Sequence, residues 1–230
     1  MGGSSTLLHL GPVGITATVA TTWAIMLVLI AAAWLIARHL QVDRPGLLQT
    51  AAEGVVLTIS KAVDDVVPDR GPQLLPFIGT LWVFIAIANL AGVVPGVQSP
   101  TGDLSTTSAL ALVVFLSVHW FGIRSDGLRA YLRHYLSPSP ILLPFHLISE
   151  LTRTVALAMR LFGNIMSLEM AAMLVLLVAG FLVPVPLLML HIVEALVQAY
   201  IFGMLALVYI GGALEVRESH VESKKGDKPS

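Results

Sequence analysis

Five stretches of this chain are too long and too apolar to be left in water. They run from about Ile15 to Ala37, Leu74 to Val94, Thr106 to Ile123, Ile141 to Val183 and Val185 to Glu215. A helix of about 20 apolar residues crosses a hydrocarbon core about 30 Å thick. Lipid offers no partners to backbone N–H and C=O groups, so such stretches fold as helices, which satisfy their own. The rest of the composition agrees: 56% hydrophobic residues, 12% charged, and a mean hydropathy of +0.86. The expected fold class is an all-α polytopic membrane protein, with residues 1–230 forming a single membrane domain.

The segments between the spans differ from one another. Residues 1–14 form an outer N-terminus. Residues 44–68 place Leu47, Leu48, Ala51, Val55, Ile59, Val63 and Val66 at helical spacing, interrupted by Glu53, Lys61, Asp64 and Asp65. That pattern predicts an amphipathic helix lying along the interface. The spans at 15–37, 74–94 and 106–123 are of ordinary length. The last two, 141–183 and 185–215, would be roughly 60 Å and 45 Å long as helices. No turn signal divides either one, so a strongly tilted hairpin is expected, followed by a tail at 216–230.

Lys and Arg set the orientation. Arg38, Arg44, Lys61 and Arg70 flank the interfacial helix, Arg124, Arg129 and Arg133 fill the loop at 124–140, and Arg217, Lys224, Lys225 and Lys228 lie in the tail. The N-terminus, the 95–105 loop and the 181–187 turn carry none. The positive-inside rule puts the N-terminus outside and the C-terminus in the cytoplasm, with a bacterial inner membrane as the default location.

Several chemistries are excluded. Without cysteine there is no disulfide and no thiol catalysis. The seven histidines show no metal-ligand spacing, and no phosphate-binding GxxxxGK[ST] loop occurs. No soluble basic face supports nucleic-acid binding. Residues 1–15 lack the positive charge of a secretory signal. No cofactor and no metal site are expected, and the chain by itself is not expected to be an enzyme.

Against this apolar background the ionisable residues stand out. His146, Glu150, Arg153, Leu157, Arg160 and Asn164 follow one another at steps of four, three, four, three and four, which keeps them on one helix face. Glu169 lies further round the same helix. His191, Glu194 and Gln198 repeat the spacing on the next. Arg160 weighs most, because a guanidinium cannot be deprotonated in a protein and is costly at membrane depth. One reading is a structural network in which Arg153 pairs with Glu150, and Arg160 with Glu169 or Glu194. Buried pairs often fail to recover their desolvation cost, so an ion path is the stronger reading. It has a cytoplasmic cluster at His146 and Glu150, an outer cluster where Glu169 meets His191 and Glu194, and Arg160 between them. Asn89 suits either the path or an interhelical hydrogen bond. Asp103 falls in a polar loop, and His119 reads as an interface residue.

The run Arg160-Leu161-Phe162-Gly163-Asn164 followed by Glu169 resembles the signature of subunit a of F-type rotary ATP synthases. So does His191 to Gln198 within His191–Phe202, while Asn89-Leu90 with Pro95 and Ser99–Leu104 are similar to the family's second and third spans. The resemblance covers about residues 15–215. It implies an ion-translocating, most often proton-translocating, stator subunit with two offset half-channels facing a ring of c subunits. The residue matching Arg160 separates them and attracts each arriving carboxylate of the ring. Asn164, Glu169, His191 and Gln198, with Glu194 as an additional acid, are implied for the outer half-channel, and His146 for the inner one. The family often has a carboxylate where His146 stands, and Glu150 one turn on can supply the acid. The resemblance also implies peripheral-stalk b subunits as partners beside the lipid bilayer. A stand-alone proton-coupled transporter is the alternative, although neither a repeat nor a broken helix supports it.

Overall fold

The computed structural model describes the chain except residues 1–5, 11–12, 42–45, 69, 95–96, 98, 128–142, 180–183 and 227–230. Arg44, most of the 124–140 loop with Arg129 and Arg133, residues 181–183 of the 181–187 turn and Lys228 therefore lie outside the described residues.

Six α-helices make up nearly all of what is described: α1 (Ala17–Arg38), α2 (Leu47–Val66), α3 (Gly71–Ala91), α4 (Leu104–Asp126), α5 (Leu143–Ala179) and α6 (Pro184–Gly226). A short antiparallel hairpin, β1 (Thr6–Leu10) and β2 (Val13–Thr16), precedes α1, and one turn of 3-10 helix at Pro100–Gly102 precedes α4. All but α2 contain a stretch long and apolar enough to cross a membrane; in α5 it is Ile148–Val175 and in α6 Pro186–Gly212. At 1.5 Å per residue these two stretches are about 40 Å long. They must incline or bend to fit a core of about 30 Å.

Local chemistry sets several boundaries. The Thr16 hydroxyl caps α1 by accepting from the Val19 N–H at 3.4 Å. The Asp103 carboxylate caps α4 by accepting from the Ser105 N–H at 2.9 Å, which gives this loop acid a structural task. Gly127 ends α4 at φ 78°, a left-handed conformation that suits glycine. The helix of the last span continues beyond the apolar stretch. Rather than stopping at Glu215, α6 runs on to Gly226, because the intervening residues include neither Gly nor Pro to break it.

The centre of the bundle is the packing of α6 on α3, with α4 and α5 closing round it and α2 lying on α3. Ile78, Ile85, Leu161, Phe202, Leu207 and Ile210 are almost fully buried. Lipid tails are as apolar as these side chains, so close packing and interhelical hydrogen bonds hold the helices together. Trp82 and Gly203 illustrate the point. The Trp82 indole lies so close to the Gly203 Cα that a methyl group there would overlap the ring. It stacks on Tyr200 at 5.5 Å and donates to the Tyr200 carbonyl at 3.1 Å. By contrast α1 buries only Thr18, and its Trp23, Leu27, Val28 and Ile30 point outward. In α2, Ile59 and Val63 pack against the bundle while Leu47, Leu48 and Leu57 stay exposed.

Candidate ion-translocation site

The polar residues of α5 and α6 separate onto different faces. Arg160 is exposed, and among the described residues it makes no ion pair. Glu169 follows nine residues later, about half a turn round the helix, so the two charges point away from each other. The pairing of Arg160 with Glu169 or Glu194, the weaker of the two readings, is not formed among the described residues. Beyond Arg160 its face continues as a shallow groove lined by Gly163, Met166, Ser167, Met170, Ala171 and Leu174.

Asn164 and Gln198 lie between the two long helices. The Asn164 Nδ2 donates to Gln198 Oε1 at 2.6 Å. Gln198 is 1% exposed, and its own Nε2 is buried without a protein partner among the described residues. Three turns on, the Arg153 guanidinium lies 4.6 Å from the centre of the Tyr209 ring. Arg153 therefore meets an aromatic face on α6, rather than the Glu150 expected from spacing.

The outer cluster is built on a turn. Asn89 is fully buried. Its Nδ2 donates to the Ala195 carbonyl on α6 at 3.1 Å, and its Oδ1 accepts from the Thr101 hydroxyl at 2.6 Å. Thr101 and Ser99 share a hydrogen bond at 2.8 Å, and Ser99 reaches the Ala88 carbonyl at 3.0 Å. The Glu169 carboxylate stands against this turn, facing the Ser99 backbone N–H. A methyl group at Gly102 would lie 3.2 and 3.3 Å from its two oxygens. His191 is 3% exposed and its Nε2 is buried without a protein partner among the described residues. Its ring lies against the end of α3, facing the Asn89 carbonyl and close to Gly92. Glu194, half-buried and three residues on, is near enough to act on its charge.

The candidates thus fall into three groups. Asn89, Glu169 and His191 gather round the 99–102 turn with Glu194 beside His191, and Asn164 with Gln198 bridge α5 and α6. Arg160, one turn before Asn164, is exposed and belongs to neither. Glu150 is half-buried near the start of α5; His146 belongs to the same helix, and its side chain lies outside what is described. Ser99 and Thr101 were missed as members of the cluster. Their signal, a hydroxyl on each side of a proline in a polar loop, is easily read as an ordinary turn. His119 bonds the Phe115 carbonyl on its own helix at 2.8 Å. Among the described residues no group of three His, Asp or Glu side chains is placed to hold a metal ion.

Comparison with known proteins bears on the same region. Residues 19–211 match the family model described as ATP synthase A chain. The chain is 65% identical to ATP synthase subunit a 2 of Pelobacter propionicus over 219 residues, covering 95% of this chain and 96% of that one. It is 65% identical to ATP synthase subunit a 1 of Hahella chejuensis, covering 90% and 88%. It is 54% identical to ATP synthase subunit a of Legionella pneumophila strain Corby, covering 95% and 96%. The chain therefore belongs to the ATP synthase A chain family, subunit a of the F-type ATP synthases.

Proposed function

We propose that this chain is the ion-translocating stator subunit of its ATP synthase, with protons as the ion. It forms two offset half-channels against a ring of c subunits, and Arg160 separates them. The observation that supports this most is the outward direction of Arg160. A permanent cation within an apolar span is expensive. It is nonetheless exposed, opposite Glu169 on its helix and without an ion pair among the described residues, so the anion it serves comes from outside the chain. A carboxylate carried past on a neighbouring ring fits. A nearby cation favours the ionised form of an acid, so Arg160 would draw off its proton and also repel ions crossing directly.

The other residues fit two access paths. Asn89, Glu169, His191, Glu194, Asn164 and Gln198 serve the outer half-channel; His146 and Glu150 serve the inner one. Imidazole and carboxylate groups suit proton transfer. The chain sits in the cell membrane with its N-terminus outside and its C-terminus in the cytoplasm, and α2 with the C-terminal extension of α6 is available to peripheral-stalk b subunits. Its task is transport, with ATP chemistry carried out elsewhere in the complex. The test is ATP-driven proton pumping in membranes carrying the assembled complex. Arg160→Ala is expected to abolish it, and normal coupled pumping in that variant refutes the assignment.

A further inference from the structure

The turn from Ser99 to Gly102 lies against α1, α3, α4 and α5, and the proposed half-channels leave its hydroxyls unexplained. Thr101 is fully buried and Ser99 nearly so. The direction of their hydrogen bonds can be counted out. The Ala195 carbonyl only accepts, so Asn89 must present Nδ2 to it and Oδ1 to Thr101. An amide oxygen cannot donate, so the proton between Asn89 and Thr101 belongs to Thr101. Each hydroxyl has one proton, so Thr101 has none left for Ser99. The Ser99 proton then serves either Thr101 at 2.8 Å or the Ala88 carbonyl at 3.0 Å. The network is therefore oriented from the Asn89 end, and Thr101 is the link through which α3 and α6 hold the turn.

The ionisable groups lie against the same turn and the end of α3. Glu169 faces the Ser99 N–H and lies against Gly102. Ser99 and His191 both crowd Gly92, standing 3.0 Å and 3.4 Å from where its methyl group would be. A shift of the turn by part of an ångström would move the Glu169 site relative to the His191 ring. Proton transfer needs partners within hydrogen-bond reach, directly or through one water.

We infer that Thr101, supported by Ser99, is a positioning residue for this layer. Its hydroxyl ties the turn to α3 and α6 and so fixes where Glu169 stands relative to His191. This rests on the reading of those two residues as ion-carrying groups.

The test compares Thr101→Val, which keeps the shape and loses the hydroxyl, with Thr101→Ser, which keeps the hydroxyl and loses the methyl. Both are measured in the assembled complex by ATP-driven proton pumping, normalised to the amount of subunit a in the membrane. Glu169→Gln serves as the reference. Thr101→Val is expected to slow pumping about tenfold, the scale of one buried hydrogen bond lost with its partner unpaired, and Thr101→Ser to stay within about twofold of the parent. Pumping at the parent rate in Thr101→Val, or equal slowing in both variants, overturns the inference. If Thr101→Val does not assemble, Ser99→Ala decides: slowed pumping supports the inference and the parent rate overturns it. Slow pumping in Glu169→Gln beside normal pumping in Thr101→Val removes this inference and leaves the half-channel reading intact. Parent rates in both remove the outer half-channel as well.

Discussion

Arg160 and Asn89 are both polar groups within apolar spans, and the molecule treats them in opposite ways. Asn89 is fully buried, with both ends of its amide bonded to α6 and to the turn before α4. Arg160 is exposed, opposite Glu169 on its helix and without an ion pair among the described residues. A buried amide with its hydrogen bonds made can hold helices together. A guanidinium left facing the membrane stabilises nothing within the chain. The contrast is between a polar group that also joins helices and one with no such task, and each can be broken separately.

The largest effect is expected on the working side, where Arg160→Ala abolishes pumping while subunit a still accumulates in the membrane, because the side chain has no ion pair to lose among the described residues. Quantifying the subunit beside the pumping assay checks both halves. Loss of the subunit itself would move Arg160 to the structural side of the comparison. Next comes Gly203→Val, which drives a side chain into the Trp82 indole. Overpacking of this kind costs about 1–3 kcal/mol or more, read as a lower unfolding temperature of the purified complex. Asn89→Leu follows. It leaves the Ala195 carbonyl and the Thr101 hydroxyl short of a partner and costs about 1–3 kcal/mol by the same measurement. Smallest is Arg153→Met. It keeps much of the apolar stem and loses the contact with Tyr209, worth about 0.5–1 kcal/mol at an exposed position. A loss of pumping in Arg153→Met as complete as in Arg160→Ala would show that the two arginines share one task.

Much of this division was legible in the sequence, and its limits have physical causes. Spans follow from apolar length, and the five helices able to cross a membrane come from such runs. Helical period also shows Glu169 on the far side of α5 from Arg160, since nine residues are two and a half turns. What Glu169 meets there was not legible. Glu169, His191 and Glu194 were read as one outer cluster; the element between them, the 99–102 turn against which Glu169 stands with His191 beside it at the end of α3, is what the spacing did not show. The bond from Asn89 to the backbone of Ala195 joins positions 106 residues apart. Any residue at 195 offers that carbonyl, so the pattern of side chains does not reveal it. Arg153 went the same way, because spacing on one helix pointed to Glu150 while the structure supplies Tyr209 from the next. The continuation of α6 to Gly226 was legible from the lack of Gly and Pro, and a shift to charged residues was read as a tail instead.

The central claim is that the face carrying Arg160 meets another subunit that bears a carboxylate. The chain has no cysteine, so single introduced thiols report cleanly. Ser167, exposed in the groove beyond Arg160, and Ile165, fully buried two residues earlier, form a matched pair. Each is replaced by cysteine in complexes whose c subunit carries one cysteine a helical turn from its membrane carboxylate, and the membranes are treated with a mild oxidant. The account predicts a disulfide-linked product for Ser167→Cys and none for Ile165→Cys. A product from Ile165→Cys with none from Ser167→Cys would contradict it.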